Sequence, residues 1–337
     1  MWAFGLDFES RTARELTLPD PRPPGWGEVL LRVEEAGVCG TDRELAAFRL
    51  GRPPEGELAL AIGHEAVCRV LETGPGATRF APGDWVVPSV RRTCSPACAS
   101  CSRGRRDLCV SGGYLERGIF GLHGYCAEFA IDRESDLTPI PAGLADLAVL
   151  VEPLSIVEKA IASALRIHEP EAETGLVIGA GPVGLLAAMT LRLRGLRVAV
   201  HSLEPRGHPR ARAVEQCGIE YHSARPPLAD IVIEAAGTVQ AGLLAIRSMR
   251  PLGVCAILGA PNASGPVPFM DLIVANQTVF GSVNASPADF ERAVADLALF
   301  PSALLSGWIH RTGRNALSFT LLGEAGRYLK VVHRIGE

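Results

Sequence analysis

This sequence has very few lysines, no long apolar run and nearly balanced numbers of acidic and basic residues. Lysine stands only at Lys159 and Lys330 of 337 residues, so arginine carries nearly all of the positive charge. We interpret this as coding bias, with thermal adaptation as the alternative. The formal net charge of -4 leaves no basic surface of the kind that binds nucleic acid. No apolar run approaches the length of a membrane span.

The first residues also lack the apolar segment of a signal peptide, since MWAFGLDFESRTARE carries acidic groups early. We therefore expect a cytoplasmic location. Hydrophobic residues make up 47% and charged residues 21%, which is typical of a folded protein, and the length predicts two domains. Four cysteines in apolar contexts are interpreted as core residues, namely Cys68, Cys126, Cys217 and Cys255.

The other cysteines include four within one short loop, CSPACASCSRGRRDLC, with gaps of three, two and seven residues. Four thiolates at this spacing can close a tetrahedral shell around one zinc ion with no vacant position. A pair of disulfides is the alternative, but it requires an oxidising compartment. The loop therefore predicts a structural zinc site formed by Cys94, Cys98, Cys101 and Cys109.

Residues 1 to about 90 contain short alternating segments separated by Gly and Pro turns, such as EVLLRVEEAGVC and DWVVPSV. This pattern predicts a partly closed β-barrel. Two polar islands interrupt it, GVCGTDRE and IGHEA. Cys39, His64 and Glu65 in these islands form a plausible three-ligand set, which leaves a fourth position open as in a catalytic zinc site.

Simpler interpretations of the islands are a buried cysteine and a surface His-Glu pair. Consecutive residues of a regular strand also point to opposite faces, so His64 and Glu65 can both be ligands only if the chain bends there. Gly63 offers that freedom.

Glu152 follows the apolar run LAVLV and precedes Pro153 at the start of a predicted helix, where we expect an extended residue. A carboxylate there can simply favour the helix dipole. If it is buried, however, a nearby cation such as a metal would offset the cost of its charge. Glu116, in YLERG, is on its own only a polar loop residue.

The segment GLVIGAGPVGLLAAMTLRLRGLRVAV predicts a strand, a glycine turn, a helix and a second strand. Gly179, Gly181 and Gly184 form a G-x-G-x-x-G motif, which lets a pyrophosphate approach a helix N-terminus. Further strands at 229–237 and 253–260 complete a doubly wound parallel sheet. The fold class is therefore α/β, with a dinucleotide-binding Rossmann domain.

The end of the second strand selects between the two nicotinamide cofactors. This chain has His201 and Ser202 there, and the first acidic residue is Glu204. A neutral tip does not repel a 2′-phosphate, and His201, Ser202 or Arg206 could contact one. We expect NADP to be preferred and NAD to be possible.

The tail resumes a strand and then an amphipathic helix from Pro287, and it ends in the strand-like FTLL and a short helix with KVVHRI. Asn284 lies where the sheet gives way to this tail. We divide the chain into a catalytic domain at 1–157, a Rossmann domain at 158–284, and a C-terminal part at 285–337 that returns to the catalytic domain.

Taken in order, GVCGTDRE, GHE, the cysteine loop, YLERGI, LVEPLSIVEKA, GAGPVG and FGSVNA resemble the zinc-dependent medium-chain dehydrogenase/reductase family over nearly the whole chain. The similarity is closest to its glucose 1-dehydrogenase branch. It implies a GroES-like β-barrel catalytic domain beside the Rossmann domain, two zinc ions per chain and a homodimer or homotetramer.

The resemblance also implies residue roles. The catalytic zinc would be bound by Cys39, His64 and either Glu65 or Glu152, and the Thr41 hydroxyl would bond the substrate oxygen. Glu116, Glu152 and Asn284 match positions that contact sugar hydroxyls or the nicotinamide. The cofactor positions are Gly179, Ala180, Gly181, Pro182, Val183, Gly184, His201, Ser202, Gly259 and Asn284.

Two positions depart from the family pattern. The first gap of the cysteine loop usually holds two residues and holds three here, and we expect the extra residue to be looped out. Alcohol-using relatives often carry a proton-relay histidine five residues after the first ligand cysteine, where this chain has Glu44.

The resemblance implies hydride transfer from the C1 hydroxyl of an aldose such as glucose or galactose to NAD(P), which gives a lactone. A polyol, alcohol or threonine dehydrogenase is the alternative within the family. A non-catalytic NADPH-binding protein is the alternative outside enzymes. The sequence leaves the identity of the sugar open.

Overall fold

The computed structural model describes residues 1–168, 171–259, 263–317 and 328–336. Its contacts divide the chain into two units, the first formed by Met1–Glu152 with Asn284–Glu337 and the second by Pro153–Val283. The boundaries predicted from the sequence were 157 and 284. Among the described residues, no helix is long and apolar enough to cross a membrane.

The strands are short, and the three longest of them have eleven, nine and nine residues. The strands are β1 Trp2–Asp7, β2 Thr12–Thr17, β3 Glu28–Val38, β4 Ala59–Ala61, β5 Glu65–Thr73, β6 Trp85–Pro88, β7 Glu116–Arg117, β8 Gly121–Leu122, β9 Phe129–Arg133, β10 Leu137–Ile140, β11 Thr174–Ile178, β12 Arg197–His201, β13 Glu220–His222, β14 Ala229–Glu234, β15 Met249–Ile257, β16 Thr278–Gly281, β17 Ile309–Gly313 and β18 Lys330–Arg334.

Helices are concentrated in the second half of the chain. The α-helices are α1 Gly40–Ala46, α2 Val151–Ile167, α3 Pro182–Leu193, α4 Pro209–Gln216, α5 Val239–Arg247, α6 Phe269–Val274, α7 Pro287–Leu297 and α8 Ser302–Ser306. The 3-10 helices are Cys101–Arg103, Arg106–Leu108, Glu134–Asp136, Ala142–Leu150 and Arg314–Ala316.

The first unit is organised around β3. This strand pairs antiparallel with β5, with β9 and with β18 in a seven-stranded sheet. Val29, Leu31 and Val33 alternate with more exposed residues along it, and all three are fully buried. This period of two turns one face of the strand towards the apolar core of the unit.

The C-terminal segment departs from one prediction. KVVHR forms the strand β18, where we expected a short helix, and it lies between β3 and β17. Val331 and Val332 are buried there, and β-branched residues suit such a pleated, covered surface. The predicted strand FTLL lies outside the described residues.

The second unit is a six-stranded parallel sheet in the order β13-β12-β11-β14-β15-β16. The order reverses direction from β11, whose neighbours are β12 and β14. Such a reversal opens a crevice at the carboxyl ends of the strands, which is where doubly wound sheets bind dinucleotides. The fold class predicted from the sequence is confirmed for this unit.

Candidate metal and cofactor sites

Cys39 lies at the junction between β3 and α1, where it is the N-cap residue of the helix. Its Sγ accepts a hydrogen bond from Thr41 N at 3.3 Å, and its own N–H donates to Asp42 Oδ2 at 2.8 Å. This reciprocal capping box holds the thiol in one orientation at the start of the helix. GVCGTDRE thus contains the residues that fix Cys39 as well as Cys39 itself.

His64 lies just before β5, and Glu65 is the first residue of that strand. Between them and β4 the chain bends at Gly63, whose φ is +94°, and a Cβ there would lie 2.8 Å from Cys126 N. Because of this bend, the ligand atoms of Cys39, His64 and Glu65 all lie within 4.8 Å of one another. The alternation rule for regular strands does not separate the last two, since His64 is outside the strand.

Asp42 lies behind His64, on the side of the ring away from Cys39. Its Oδ1 lies 3.5 Å from His64 Nδ1, while His64 Nε2 lies 3.1 Å from Cys39 Sγ. A carboxylate behind a ligating histidine selects the tautomer whose other nitrogen is available to a metal. Both Asp42 and His64 are buried, and in the described part of the chain Asp42 Oδ1 and His64 Nδ1 make no hydrogen bond.

The charges around the cluster favour a cation. Burial opposes a charge on His64, but the thiolate of Cys39 and the carboxylate of Asp42 raise the pKa of His64 well above its ordinary value. Burial likewise disfavours ionised Asp42, yet His64 and the Cys39 amide lower the pKa of that carboxyl. A soft thiolate, an imidazole and a carboxylate at these separations therefore fit a zinc ion.

Glu65 forms a buried ion pair with a residue outside this cluster, Lys330. Its Oε2 accepts a hydrogen bond from Lys330 Nζ, which also donates to Val38 O at 3.3 Å. The ammonium and the carboxylate are almost completely buried. Burial, partly offset by the charges of Cys39 and Asp42, lowers the pKa of Lys330 to about 8. Glu65 is thus already neutralised by a lysine of β18.

Glu152 is buried but is not part of the 4.8 Å group found among the described residues. Burial raises the pKa of Glu152 to about 7, with Asp42 and Glu116 acting in the same direction and His64 against it. Glu152 lies in the first turn of α2, so it is helical where we expected an extended residue. Pro153 causes no break there, because an N–H in the first turn lacks an intrahelical acceptor.

Glu116 and Asn284 meet although they are 168 residues apart in the sequence. Asn284 Nδ2 donates to Glu116 Oε1 at 2.7 Å, and both residues are buried. The backbone of Asn284 has a φ of +58°, a left-handed conformation that asparagine tolerates better than most residues. Both belong to the first unit, so this pair is a feature of that unit alone.

Glu44 does not extend this cluster. Its carboxylate forms a two-point ion pair with Arg49, at 2.8 and 2.7 Å, on a partly exposed face of the molecule. The position that carries a histidine in alcohol-using relatives is therefore occupied here by a surface ion pair.

The four loop cysteines converge in a second cluster, whose thiols also lie within 4.8 Å of one another. None of the nine cysteines is in a disulfide, and the additional residue in the first gap does not prevent convergence. Hydrogen bonds from the amides of Cys101 and Val110 lower the pKa of Cys98 to about 5. Amides that stabilise a thiolate, together with four converging sulfurs, fit a structural zinc ion.

The glycine turn follows β11, and its glycines have different roles. Gly179 has a φ of +113°, and a Cβ on it would lie 2.9 Å from Ala236 N. A Cβ on Gly184 would lie 2.0 Å from Gly179 O, whereas one on Gly181 would meet open space. The first and third glycines thus permit close packing, and the second leaves room at the N-terminus of α3, which begins at Pro182.

The tip of β12 is more complex than the sequence suggested. His201 is buried, and its carbonyl accepts from Gly179 N at 2.8 Å. Ser202 Oγ donates to Glu204 Oε2, and Arg210 Nη1 donates to Glu204 Oε1 at 2.9 Å. The carboxylate nearest to the tip is therefore engaged by two donors, and His201 supports the turn through its backbone.

Gly259 lies at the end of β15, where it meets the carboxylate of Glu234. Glu234 accepts from the amides of Ala236 and Gly237 at 2.8 Å each and from Gly259 N at 3.2 Å. A Cβ at position 259 would lie 2.3 Å from Gly237. Only glycine fits, so one buried carboxylate joins two strand ends of this sheet.

Sequence reasoning missed Asp42, Lys330 and Arg91 as parts of the first unit's polar interior. Lys330 had a usable signal in its rarity, because it is one of only two lysines in the chain. Asp42 follows Cys39 by three residues, which is the spacing of a capping box. Arg91 had no local signal.

Comparisons with known proteins agree with this geometry. A family model for the alcohol dehydrogenase GroES-like domain matches residues 25–142, and one for the glucose dehydrogenase C-terminus matches residues 145–318. The chain is 40% identical to a glucose 1-dehydrogenase of Methanocella arvoryzae over 83% of each chain. It is 41% identical to one of Thermoproteus tenax over 86% of this chain and 84% of the relative.

Among solved structures, the chain is similar to Haloferax mediterranei glucose dehydrogenase in complex with NADP, Zn and gluconolactone. The TM-score is 0.90 with 29% identity, and 99% of each chain is covered.

Proposed function

The chain belongs to the zinc-dependent medium-chain dehydrogenase/reductase family, in its glucose 1-dehydrogenase branch, and from this premise we propose that it oxidises the C1 hydroxyl of an aldose to the lactone with NAD(P) as hydride acceptor. The observation that supports this most directly is the convergence of Cys39, His64 and Glu65 within 4.8 Å. A thiolate and an imidazole brought together beside buried carboxylates are donors of the kind found in a zinc site with an open position. The similar proteins include a glucose 1-dehydrogenase and a glucose dehydrogenase in complex with gluconolactone, which makes glucose the first substrate to test.

We propose that Cys39, His64 and Glu152 hold the catalytic zinc and that Glu65 remains beside it as a paired carboxylate. The reason is the buried ion pair with Lys330, since Glu65 has a cationic partner without any metal. Glu152 is a buried carboxylate close enough to His64 to sense its charge. A metal ion nearby would favour its ionised form.

A zinc ion bound at this position would supply a Lewis acid, which would lower the pKa of a substrate hydroxyl. We propose that Thr41 receives the proton, since it follows Cys39 by two residues and its N–H donates to Cys39 Sγ at 3.3 Å. Glu44 is paired with Arg49 and does not serve as the next acceptor. We propose that the proton leaves through Thr41 to water.

Glu116 and Asn284 are the proposed anchors for the sugar. Carboxylate and amide oxygens accept hydrogen bonds from hydroxyls, and the amide nitrogen can donate. Buried groups of this kind discriminate strongly against ligands that lack the matching hydroxyl, because such ligands leave them unpaired. Such an arrangement favours a polyhydroxylated ring over a simple alcohol.

The cofactor is proposed to bind at the glycine turn of the second unit, with the pyrophosphate at the N-terminus of α3. NADP is proposed as the preferred cofactor and NAD as a possible one. Glu204 is engaged by Ser202 and Arg210, so it is less available to accept from a ribose 2′-hydroxyl, which is how NAD-selective sites use an acid.

The test is a set of initial rates with NADP and NAD side by side on D-glucose, D-galactose, D-xylose, linear polyols, simple alcohols and threonine. We expect turnover of aldoses, with a higher kcat/KM for NADP. Turnover of linear polyols or threonine with none of aldoses would replace the sugar assignment by the alternative within the family. Binding of NADPH with no turnover of any substrate would favour a non-catalytic protein.

We further propose that the chain forms a homodimer or homotetramer. Phe269, Met270, Ile273 and Val274 of α6 are all exposed, at 67–75%, and α6 directly precedes the edge strand β16. A second copy related by a two-fold axis would cover this face and the open strand edge together. Light scattering should give at least a dimer, and Ile273→Glu should shift it towards monomer.

A cytoplasmic location is proposed on the chemistry of the thiols. None of the nine cysteines is in a disulfide, which fits a reducing compartment. Fractionation of the native source cells would test it.

A further inference from the structure

Arg91 is a buried arginine that links the cysteine loop to Glu116. Its Nε donates to Glu116 Oε1 at 2.8 Å, and its Nη1 donates to the backbone carbonyl of Asp107 at 3.2 Å. The guanidinium carbon also lies 3.8 Å from the ring centroid of Tyr114. The side chain is 8% exposed, so each of these interactions is protected from water.

As a result, the two oxygens of the Glu116 carboxylate differ in their hydrogen bonds. Oε1 accepts from both Arg91 Nε and Asn284 Nδ2. Within the described residues, no hydrogen bond is formed by Oε2. One oxygen is therefore used to hold the carboxylate in position, and the other is left as an acceptor for a ligand hydroxyl.

The other end of this link is itself rigid. Asp107 lies between Cys101 and Cys109, and the preceding residue anchors the loop to the barrel. Arg106 donates to Asp136 and, at 2.8 Å, to Ser89 Oγ. The carbonyl of Asp107 is thus a fixed acceptor as long as the four cysteines and Arg106 hold the loop.

We propose that Arg91 is a positioning residue, which transmits the geometry of the cysteine loop to Glu116 and, through Glu116, to Asn284. The inference depends on the proposed aldose chemistry, because it assigns Arg91 a part in binding the sugar. It also gives the structural cysteine loop a role in substrate binding beyond stabilising the fold.

The chemistry of the guanidinium explains why arginine is needed. Its planar fork donates from Nε and Nη1 in fixed directions while its face stacks on an aromatic ring. A lysine keeps the charge, but a single ammonium cannot reach both acceptors in this geometry or stack as a plane. Arg91→Lys should therefore keep the ion pair and lose the positional constraint.

The experiment compares Arg91→Lys with Arg92→Lys. Arg92 is the adjacent residue and its side chain is 12% exposed, but its ion pairs are with Asp132 and Asp136. We expect Arg91→Lys to raise the KM for the aldose about tenfold, the loss expected for one charge-assisted hydrogen bond, with the cofactor KM and the zinc content unchanged. Arg92→Lys should lower the melting temperature without a selective effect on the aldose KM.

A double-mutant cycle then asks whether Arg91 acts through Glu116. If it does, adding Arg91→Lys to Glu116→Gln produces no further rise in the aldose KM. Additive effects would overturn the inference, and so would an aldose KM that Arg91→Lys leaves unchanged. Tyr114→Leu, on a partly exposed residue, provides a second variant that should raise the same KM by a smaller factor if Arg91→Lys does not fold.

Failure of the proposed function would look different. In that case the unmodified chain would oxidise no aldose, whatever the variants do. Suppose instead that the unmodified chain oxidises an aldose while Arg91→Lys and Arg92→Lys raise the aldose KM equally. In that case both variants act through a general loss of structure, and Arg91 has no positioning role.

Discussion

The two metal-ligand clusters of the first unit are built in opposite ways. The cysteine cluster takes four identical ligands from residues 94–109, and local turns bring them together. The other cluster takes unlike side chains from separate segments, with Cys39 from a helix N-cap, His64 and Glu65 from the start of a strand and, in the proposed ligand set, Glu152 from the first turn of α2. One cluster is closed within a single loop, whereas the other exists only when β3, β5 and β18 are assembled.

The difference separates a role in stability from a role in chemistry. Four thiolates complete a tetrahedral shell, so an ion there has no position for a substrate. Three mixed ligands leave a position open, and the surrounding Asp42 and Lys330 adjust the charge at that position. Substitution of a ligand should therefore abolish activity at one cluster and reduce stability at the other.

The largest effect is expected for Cys39→Ser. We expect one of two zinc ions to be lost and kcat/KM to fall about 10³-fold, because a Lewis acid contributes several kcal/mol to the transition state. Cys217→Ser, at a half-buried cysteine outside both clusters, is the matched control. Metal analysis and initial rates measure both, and full turnover by Cys39→Ser would remove zinc from the chemistry.

Next in size is the contrast between Glu152→Gln and Glu65→Gln. We expect Glu152→Gln to weaken binding of the catalytic metal at least about tenfold, as expected for a direct ligand. Glu65→Gln should keep the metal but lower the free energy of unfolding by about 3 kcal/mol, because it leaves Lys330 buried without its carboxylate. Chelator competition and denaturant melts distinguish them, and the reverse pattern would make Glu65 the third ligand.

Cys98→Ser tests the closed cluster. We expect the loss of one zinc and a fall in melting temperature of about 5–10 °C, or about 2–3 kcal/mol for a unit of this size. At temperatures well below melting, kcat should change little. Ser102→Ala, on an exposed residue of the same loop, serves as the control. A collapse of kcat with an unchanged melting temperature would erase the distinction between the two clusters.

The smallest effect is expected for the stability of the protein in acid. It concerns Asp132, which belongs to the network of ion pairs that reaches Arg106 of the cysteine loop through Arg92 and Asp136. Burial alone would raise the pKa of Asp132, but Arg117, Arg92 and the Tyr125 hydroxyl lower the pKa to about 2. A lowered folded-state pKa stabilises the protein above the unfolded value of 3.8, and this contribution is lost as the pH falls through about 2.

The contribution of Asp132 at neutral pH is about 2 kcal/mol. In Asp132→Asn, the free energy of unfolding should therefore vary less between pH 4 and pH 2 than in the unmodified chain, by about that amount. Urea titrations across this range measure it. If the free energy of unfolding depended on pH in the same way in both proteins, the arginines would not lower the pKa of Asp132.

Sequence patterns were most informative where the constraint is local. The cysteine spacing, the glycine turn and the strand-helix-strand order around it are each contained within thirty residues, and the structure contains all three. The tail was different, since KVVHRI contains too few residues to separate a helix from a strand by periodicity. Pairing with β3 decided that it is a strand.

The sequence by itself therefore determined the fold class and the family, because hydrophobic periodicity, turn residues and ligand spacing act over short distances along the chain. Only the tertiary structure decided which partners the buried carboxylates have. Glu65 meets Lys330 across 265 residues and Glu116 meets Asn284 across 168. Charges that are distant in sequence become neighbours through strand pairing, and their energies depend on burial, which no local pattern records.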